Sequence, residues 1–179
     1  MVEIGIDRRP RKNLLSRCFT RHRLAALVTE AVDGGARLVV FGEYIIASLL
    51  AFDPHWERWT KTWQTIATEV AQRHALSVCA GTHLIQAGKH ICHRRTMAAP
   101  DGSLRFKDKL HPTPWERDHV TATHHLQSFI IDGVHTAVLI CYVSELLEAA
   151  RVATLAGVDL LLVPSWTDDR AGFKRRYCR

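Results

Sequence analysis

Residues 137–169, AVLICYVSELLEAARVATLAGVDLLLVPSWTDD, decide how the chain is read. The apolar run Ala137 to Ile140 stops at Cys141. A segment from about Ser144 to Ala156 follows with helical spacing, which puts Leu147, Ala150 and Leu155 on one face. Gly157 ends that segment, and a second apolar run, Leu160 to Val163, closes at Pro164. Strand, crossover helix and parallel strand make a βαβ unit. In open α/β sheets the ligand crevice lies at the carboxyl ends of the strands, where Cys141 falls. A thiol between a strand end and a helix start is a candidate nucleophile. The helix N-terminus stabilises a thiolate and offers free N–H groups to an oxyanion. The competing reading is a buried core cysteine, because free Cys is among the most buried residue types. The stretch alone leaves both open.

Outward from this stretch, composition limits the class of protein. A chain of 179 residues with 47% hydrophobic and 23% charged residues reads as one ordinary globular domain spanning 1–179, with a poorly defined basic segment at 1–12. No apolar run approaches the ~20 residues that cross a bilayer. MVEIGIDRRPRKN lacks the apolar region of a secretory signal, so the expectation is a cytoplasmic protein without a membrane partner. The five cysteines are odd in number, scattered and without a CxxC pair, which argues against a disulfide framework or a cysteine-rich zinc module. The net charge of +6 sits largely in Arg8-Arg9-Pro10-Arg11-Lys12, Lys174-Arg175-Arg176 and His93-Arg94-Arg95. No nucleic-acid module accompanies these runs, so they read as solvated charge and no nucleic-acid partner is expected. Among eleven histidines, His90/His93 and His124/His125 are the obvious pairs. Residues 90 and 93 point to opposite faces of a strand, adjacent histidines diverge, and neither pair has HExxH geometry. No metal site is expected.

Before this unit, apolar positions from Leu14 to Val32 suit a helix that Asp33-Gly34-Gly35 breaks. Leu38-Val39-Val40-Phe41 reads as a buried parallel strand ending at Glu43. Position alone would make Glu43 a capping or loop acid. Pro54 opens a helix with a core stripe of Trp56, Trp59, Trp63, Ile66 and Val70. Leu76 to Thr82, Ile91 to Ala98 and Leu104 to Phe106 read as strands of hairpin character, with a turn at Pro100-Asp101-Gly102-Ser103. Lys109 begins KLHPTPWERDH, a loop stiffened by Pro112 and Pro114 that carries Glu116. Leu126 to Asp132 and Thr136 to Ile140 form a hairpin around Gly133.

Glu43, Lys109 and Cys141 make chemical sense together. A thiol of pKa ~8.5 is mostly protonated at neutral pH and needs a base, which a carboxylate in a confined site provides. A lysine and a backbone N–H near Tyr142 would stabilise the charge that develops on a substrate oxygen or nitrogen.

LVVFGEY around Glu43, PDGSLRFKDKLHPTPWERD around Lys109 and the opening stretch around Cys141 resemble, in order and spacing, the carbon–nitrogen hydrolases of the nitrilase superfamily. The resemblance covers about residues 20–173. It implies a four-layer α/β/β/α sandwich and hydrolysis of non-peptide C–N bonds in amides, carbamoyl compounds or nitriles, without metal or organic cofactor. By resemblance Glu43 is the general base, Lys109 the oxyanion stabiliser and Cys141 the nucleophile, while Glu116 helps position substrate and lysine. Trp115, Tyr142 and Trp166, beside the motif residues, are candidates to line the substrate pocket, or are ordinary core aromatics. The resemblance also implies a homo-oligomer paired through Leu146 to Ala153.

The chain departs from that family's pattern at several positions. Gly42 replaces a proline before the glutamate, Val143 an aspartate and Leu147 a proline after the cysteine, and His93 an asparagine in the hairpin. Family members begin with a core strand and continue past SWTDD, so the sandwich is expected to be incomplete, truncated at both ends. The alternative to an active hydrolase is therefore an inactive or unstable fragment of one.

Overall fold

The computed structural model describes residues 25–44 and 56–166. The basic segments at 1–12 and 174–176, the first half of the Leu14 to Val32 helix and Pro54 lie outside the described residues.

Both apolar runs expected as buried strands pair in parallel with a neighbour. Strand β1 (Leu38–Val40) runs parallel to β2 (Ser77–Ala87), with Val39 opposite Val78. The hairpin strands β3 (His90–Ala98) and β4 (Leu104–Asp108) add antiparallel to β2, giving the order β1-β2-β3-β4. In a second sheet β5 (Ser128–Ile131) pairs antiparallel with β6 (Val134–Val138), which runs parallel to β7 (Leu160–Leu162). A parallel pair needs a helical crossover. Helix α2 (Trp56–His74) leads into β2, and α3 (Leu147–Leu155) connects β6 to β7. Residues 25–33 form the described part of α1, which precedes β1.

Three apolar clusters stack these elements into layers. Val28 and Ala31 of α1 and Ala67 and Ala71 of α2 pack with Val39, Val78 and Ala80 of the first sheet. Cys79 and Met97 of the first sheet meet Phe129, Ile131, Val138 and Leu162 of the second. Leu139 and Val143 pack with Leu161 and with Ala149 and Ala150 of α3. Helices, sheet, sheet, helix is the α/β/β/α arrangement, and it follows from apolar residues covering both faces of each sheet.

Two helix faces differ from the sequence expectation. On α2 the residues in closest contact are Ala67 and Ala71, not Ile66, which is only half-buried; Trp63 and Val70 flank them. Small residues let the helix approach β2, so Trp63, Ile66 and Val70 sit at the margin of the contact. On α3 the face that helical spacing gives to Leu147, Ala150 and Leu155 is split. Leu147 is 83% and Leu155 78% exposed, while the alanines Ala149, Ala150 and Ala153 face the sheet. The helix also starts later than expected, because a 3₁₀ turn, Cys141–Glu145, comes first. Its end is a Schellman motif: Gly157 N donates to Thr154 O and Val158 N to Ala153 O, at 3.0 and 3.1 Å. Gly157 has φ +76°, which a residue with a Cβ adopts at a cost of about 1 kcal/mol.

The run His93-Arg94-Arg95 is not the solvated charge expected of it. Arg94 forms a fork with Asp108 at 2.6 and 2.8 Å. Arg95 is fully buried between the sheets, and His93 is fully buried in the site described below. His83 of β2 is also fully buried, and neither ring nitrogen has a hydrogen-bond partner among the described residues. Burial, with the charges of His93 and Arg94, pushes its pKa down to about 4. The unfolded chain therefore binds a proton at His83 between about pH 6.5 and 4 that the folded chain does not. Stability from this group is present above pH 6.5 and falls as pH falls through that window, by about 2 kcal/mol at pH 5. Urea unfolding at pH 7 and pH 5 measures it. In His83→Leu the drop between the two pH values is expected to shrink by about that amount.

Candidate active site

The carboxyl ends of β1 and β6 meet where the two sheets face each other, and each ends in a residue with left-handed backbone. Tyr44 has φ +54° and Cys141 φ +48°. Such conformations cost about 1–3 kcal/mol outside glycine and persist only where surrounding contacts enforce them. For Cys141 the enforcing contact is Cys141 N donating to Pro164 O at 3.0 Å, which ties the turn to the end of β7. At the end of β1, Tyr44 N donates to Thr82 Oγ1 at 2.8 Å, and Arg95 Nη1 donates to the carbonyls of Phe41 and Ala80 at 2.9 and 2.8 Å. A bulge in β2 between Cys79 and Thr82 presents Ala80 to that guanidinium.

Between the strand ends lies a buried charge cluster. Lys109 Nζ donates to Glu43 Oε1 and to Glu116 Oε2, both at 2.8 Å, and all three side chains are buried. Glu116 Oε2 also accepts from Thr113 N and Thr113 Oγ1 at 2.7 and 2.8 Å. Its Oε1 accepts from the Tyr44 hydroxyl, and His93 Nδ1 lies 3.2 Å away. Burial drives the Glu116 carboxyl upward, but His93, Lys109 and Tyr44 outweigh it and hold the group well below the usual carboxylate range. Burial pulls Lys109 down, and the two glutamates more than restore it, so its pKa is raised. The Tyr44 hydroxyl is pushed far up by burial and by its bond to Glu116.

The half-buried thiol of Cys141 completes the group. It donates to Trp166 O at 3.5 Å and feels the charge of the Glu43 carboxylate. Glu43 Oε2 in turn accepts from Trp166 N at 3.1 Å. Burial, then the charge of Glu43 and its hydrogen bond, push the thiol up to about 11. A thiol raised in this way needs a base to ionise, in line with the sequence reading that pairs Cys141 with a carboxylate.

The structure brings Glu43, Lys109, Glu116 and Cys141 together from four separate places in the chain. Glu116 is enclosed by Lys109, Thr113, Tyr44 and His93. Trp166 reaches the site through its backbone, while its indole is exposed. Tyr142 is half-buried beside Cys141. Tyr44, His93 and Thr113 were missed as site residues. The spacing of Thr113 to Glu116 is a turn signal within the sequence, whereas Tyr44 and His93 meet only by stacking across sheet and loop, with centroids 4.4 Å apart. Trp115 and Trp166 lie around Tyr44, at 6.0 and 6.4 Å between centroids. One ligand atom each from Glu43, His93 and Glu116 would fall within 4.8 Å of the others, a spacing that suits a metal. The Lys109 ammonium already sits against both carboxylates and supplies the cation there.

A four-layer α/β/β/α sandwich with a cysteine and buried acids at its strand ends is the architecture of the nitrilase superfamily. The carbon-nitrogen hydrolase family model matches residues 19–176, and the chain belongs to that family. It is 28% identical over 163 residues to the probable hydrolase YhcX of Bacillus subtilis, covering 84% of this chain and 32% of that protein. The chain thus spans about a third of that relative's length. Among solved structures it superposes on a carbon-nitrogen hydrolase from Helicobacter pylori with a TM-score of 0.74 at 20% identity, over 89% of this chain and 60% of that one. It also superposes on a Nesterenkonia amidase carrying acrylamide on its active-site cysteine, with a TM-score of 0.70 at 17% identity, over 86% and 65%. At these identities the superpositions speak for the fold. No helix among the described residues is long and apolar enough to cross a membrane.

Proposed function

We propose that the chain hydrolyses a non-peptide carbon–nitrogen bond, of an amide, carbamoyl compound or nitrile, through a thioester on Cys141. The observation that carries this reading is the thiol held against Glu43, with Lys109 on the same carboxylate. Sγ attacks the substrate carbon while Glu43 takes the thiol proton, which cancels the burial cost of making a free thiolate. The oxygen or nitrogen that gains charge is met by the Lys109 ammonium and the backbone N–H of Tyr142. With an amide or carbamoyl compound, Glu43 then passes its proton to the departing amine or ammonia, leaving Cys141 acylated. With a nitrile the first product is a thioimidate, which takes up one water before ammonia leaves, and the same thioester remains. Water enters, Glu43 removes its proton, and hydrolysis releases the acid and restores the thiol. Trp115, Tyr142 and Trp166 line the entry.

Ammonia release by the folded chain, assayed across simple amides, carbamoyl compounds and nitriles, tests the reading. Release that disappears in Cys141→Ala supports it. A folded chain that releases none in any of the three classes overturns it and leaves the competing reading, a cluster retained without turnover.

The partner proposed for the chain is a second copy of itself. Leu147 and Leu155 lie two turns apart on α3, almost fully exposed, with the half-exposed Val152 beside them. Two exposed leucines on one short helix form a patch that soluble monomers usually cover. Leu155→Glu is expected to shift the sedimentation mass from dimer to monomer; an unchanged mass refutes this face as the interface.

A further inference from the structure

His93 stands at the centre of the charge cluster, and the course of hydrolysis above gives it no role. It lies on β3 opposite Leu84 of β2 and is fully buried. A buried histidine is ordinarily neutral and surrounded by apolar or amide groups. This one is wedged between two acids, with Nδ1 at 3.2 Å from Glu116 Oε1 and 3.9 Å from Glu43 Oε1. Its ring stacks on Tyr44 at an interplanar angle of 29°, and the Tyr44 hydroxyl donates to the same Glu116 oxygen. The titratable groups around it are Glu43 and Tyr44 at the end of β1, His83 on β2, Lys109 and Glu116 on the loop after β4, and Cys141 after β6. Within this buried set two carboxyl groups face one ammonium. Buried charge is tolerated only when paired and saturated with hydrogen bonds, so a further polar partner is needed on the acid side.

We infer that His93 is a positioning residue of this site. Its Nδ1 lies 3.2 Å from Glu116 Oε1, off the alignment of a hydrogen bond, and stacking on Tyr44 keeps that ring edge against the oxygen. With Oε1 fixed by His93 and Tyr44, Oε2 stays aimed at Lys109, which keeps the ammonium over the point where substrate charge develops. His93 acts through Glu116 and Lys109 and touches no substrate. The inference rests on the hydrolase reading above.

The side-chain amide of asparagine reaches about as far as Nδ1, whereas that of glutamine reaches past it. The test compares His93→Asn, His93→Gln and His93→Leu with the unaltered chain in two assays. The first is ammonia release resolved into kcat and KM. The second is the rate of Cys141 alkylation by iodoacetamide as a function of pH, which needs no turnover. In His93→Leu and His93→Gln, kcat is expected to fall on the order of 10²-fold, as for a catalytic group displaced by about 1 Å, with KM changed less than about threefold. Their alkylation profiles shift along the pH axis as Lys109 loosens from the glutamates. His93→Asn recovers kcat to within about tenfold and restores the alkylation profile. Equal impairment in all three variants, or unchanged kcat and alkylation in His93→Leu, overturns the inference. If His93→Leu does not fold, the contrast between His93→Asn and His93→Gln decides alone. An unaltered chain without ammonia release sinks the hydrolase reading, and the alkylation profiles then separately report whether His93 controls the environment of Cys141.

Discussion

Cys141→Ala is expected to reduce ammonia release to the uncatalysed background, a loss on the order of 10⁴-fold or more, while the fold persists. The loss is near total because the sulfur is the atom that bonds to substrate carbon, and nothing beside it replaces it. Glu43 would be left facing water, and its direct attack by a water molecule lacks the thioester that divides the reaction into two easier steps. The fold persists because the thiol is half-buried and its polar contacts are with Glu43 and the Trp166 carbonyl, both of which keep other partners. Alanine is the right substitution, since it carries a Cβ and bears the same backbone strain at φ +48°. Glycine would relieve that strain and confuse stability with chemistry. Retained circular dichroism and unfolding midpoint, with turnover gone, is the predicted pairing. Turnover within tenfold of the unaltered chain would remove Cys141 from the chemistry.

Lys109→Met is expected to damage both activity and stability. Methionine matches the length of the lysine stem and removes the charge, leaving Glu43 and Glu116 buried with no ammonium between them. Breaking a buried pair by deleting one partner costs about 3–5 kcal/mol, because the remaining charge is neither solvated nor compensated. Two acids forced together without their cation raise each other's pKa. The folded state of the variant then binds a proton more readily than the unfolded chain does, so its stability deficit shrinks as pH falls from 7 to 5. The unaltered chain behaves in the opposite sense, since the lowered pKa values of Glu116 and His83 both make it lose stability in acid. Urea midpoints at the two pH values distinguish the cases. Ammonia release is expected to fall about 10³-fold, the scale for removing an oxyanion-stabilising group. A variant equally stable at pH 7, with a pH trend parallel to the unaltered chain, would mean that the ammonium does not compensate the two acids.

How much of this was legible in the sequence varies with the interaction. The βαβ unit around Cys141 was readable because its period changes from a short apolar run to helical spacing and back. The hairpins were readable from Pro100-Asp101-Gly102 and Gly133. The faces of the helices were not. Alanine counts little in an apolar pattern, yet Ala67 and Ala71 on α2 and Ala153 on α3 make the closest approaches to the sheets. The helical spacing set Leu147, Ala150 and Leu155 on one face, and the structure exposes the two leucines while Ala150 packs toward the sheet. His93-Arg94-Arg95 looked like surface charge because a run of cations carries no sign of its neighbours. Its burial depends on Asp108, on Glu116 and on the carbonyls at the end of β1.

By itself the sequence determined the parallel crossover that places Cys141 at a strand end, the carboxylate after a buried strand, the lysine before a proline-stiffened loop, and the family these motifs resemble. Those features are local in the chain, or are motifs that keep their order. Only the tertiary structure decided the contacts themselves: Lys109 Nζ between Glu43 and Glu116, the Tyr44 hydroxyl on Glu116, and the His93 ring stacked on Tyr44 beside them. These depend on which groups meet when two sheets pack, and on how far water is excluded between them. Distance and burial set the sign of a pKa shift. Neither is written in the order of the residues.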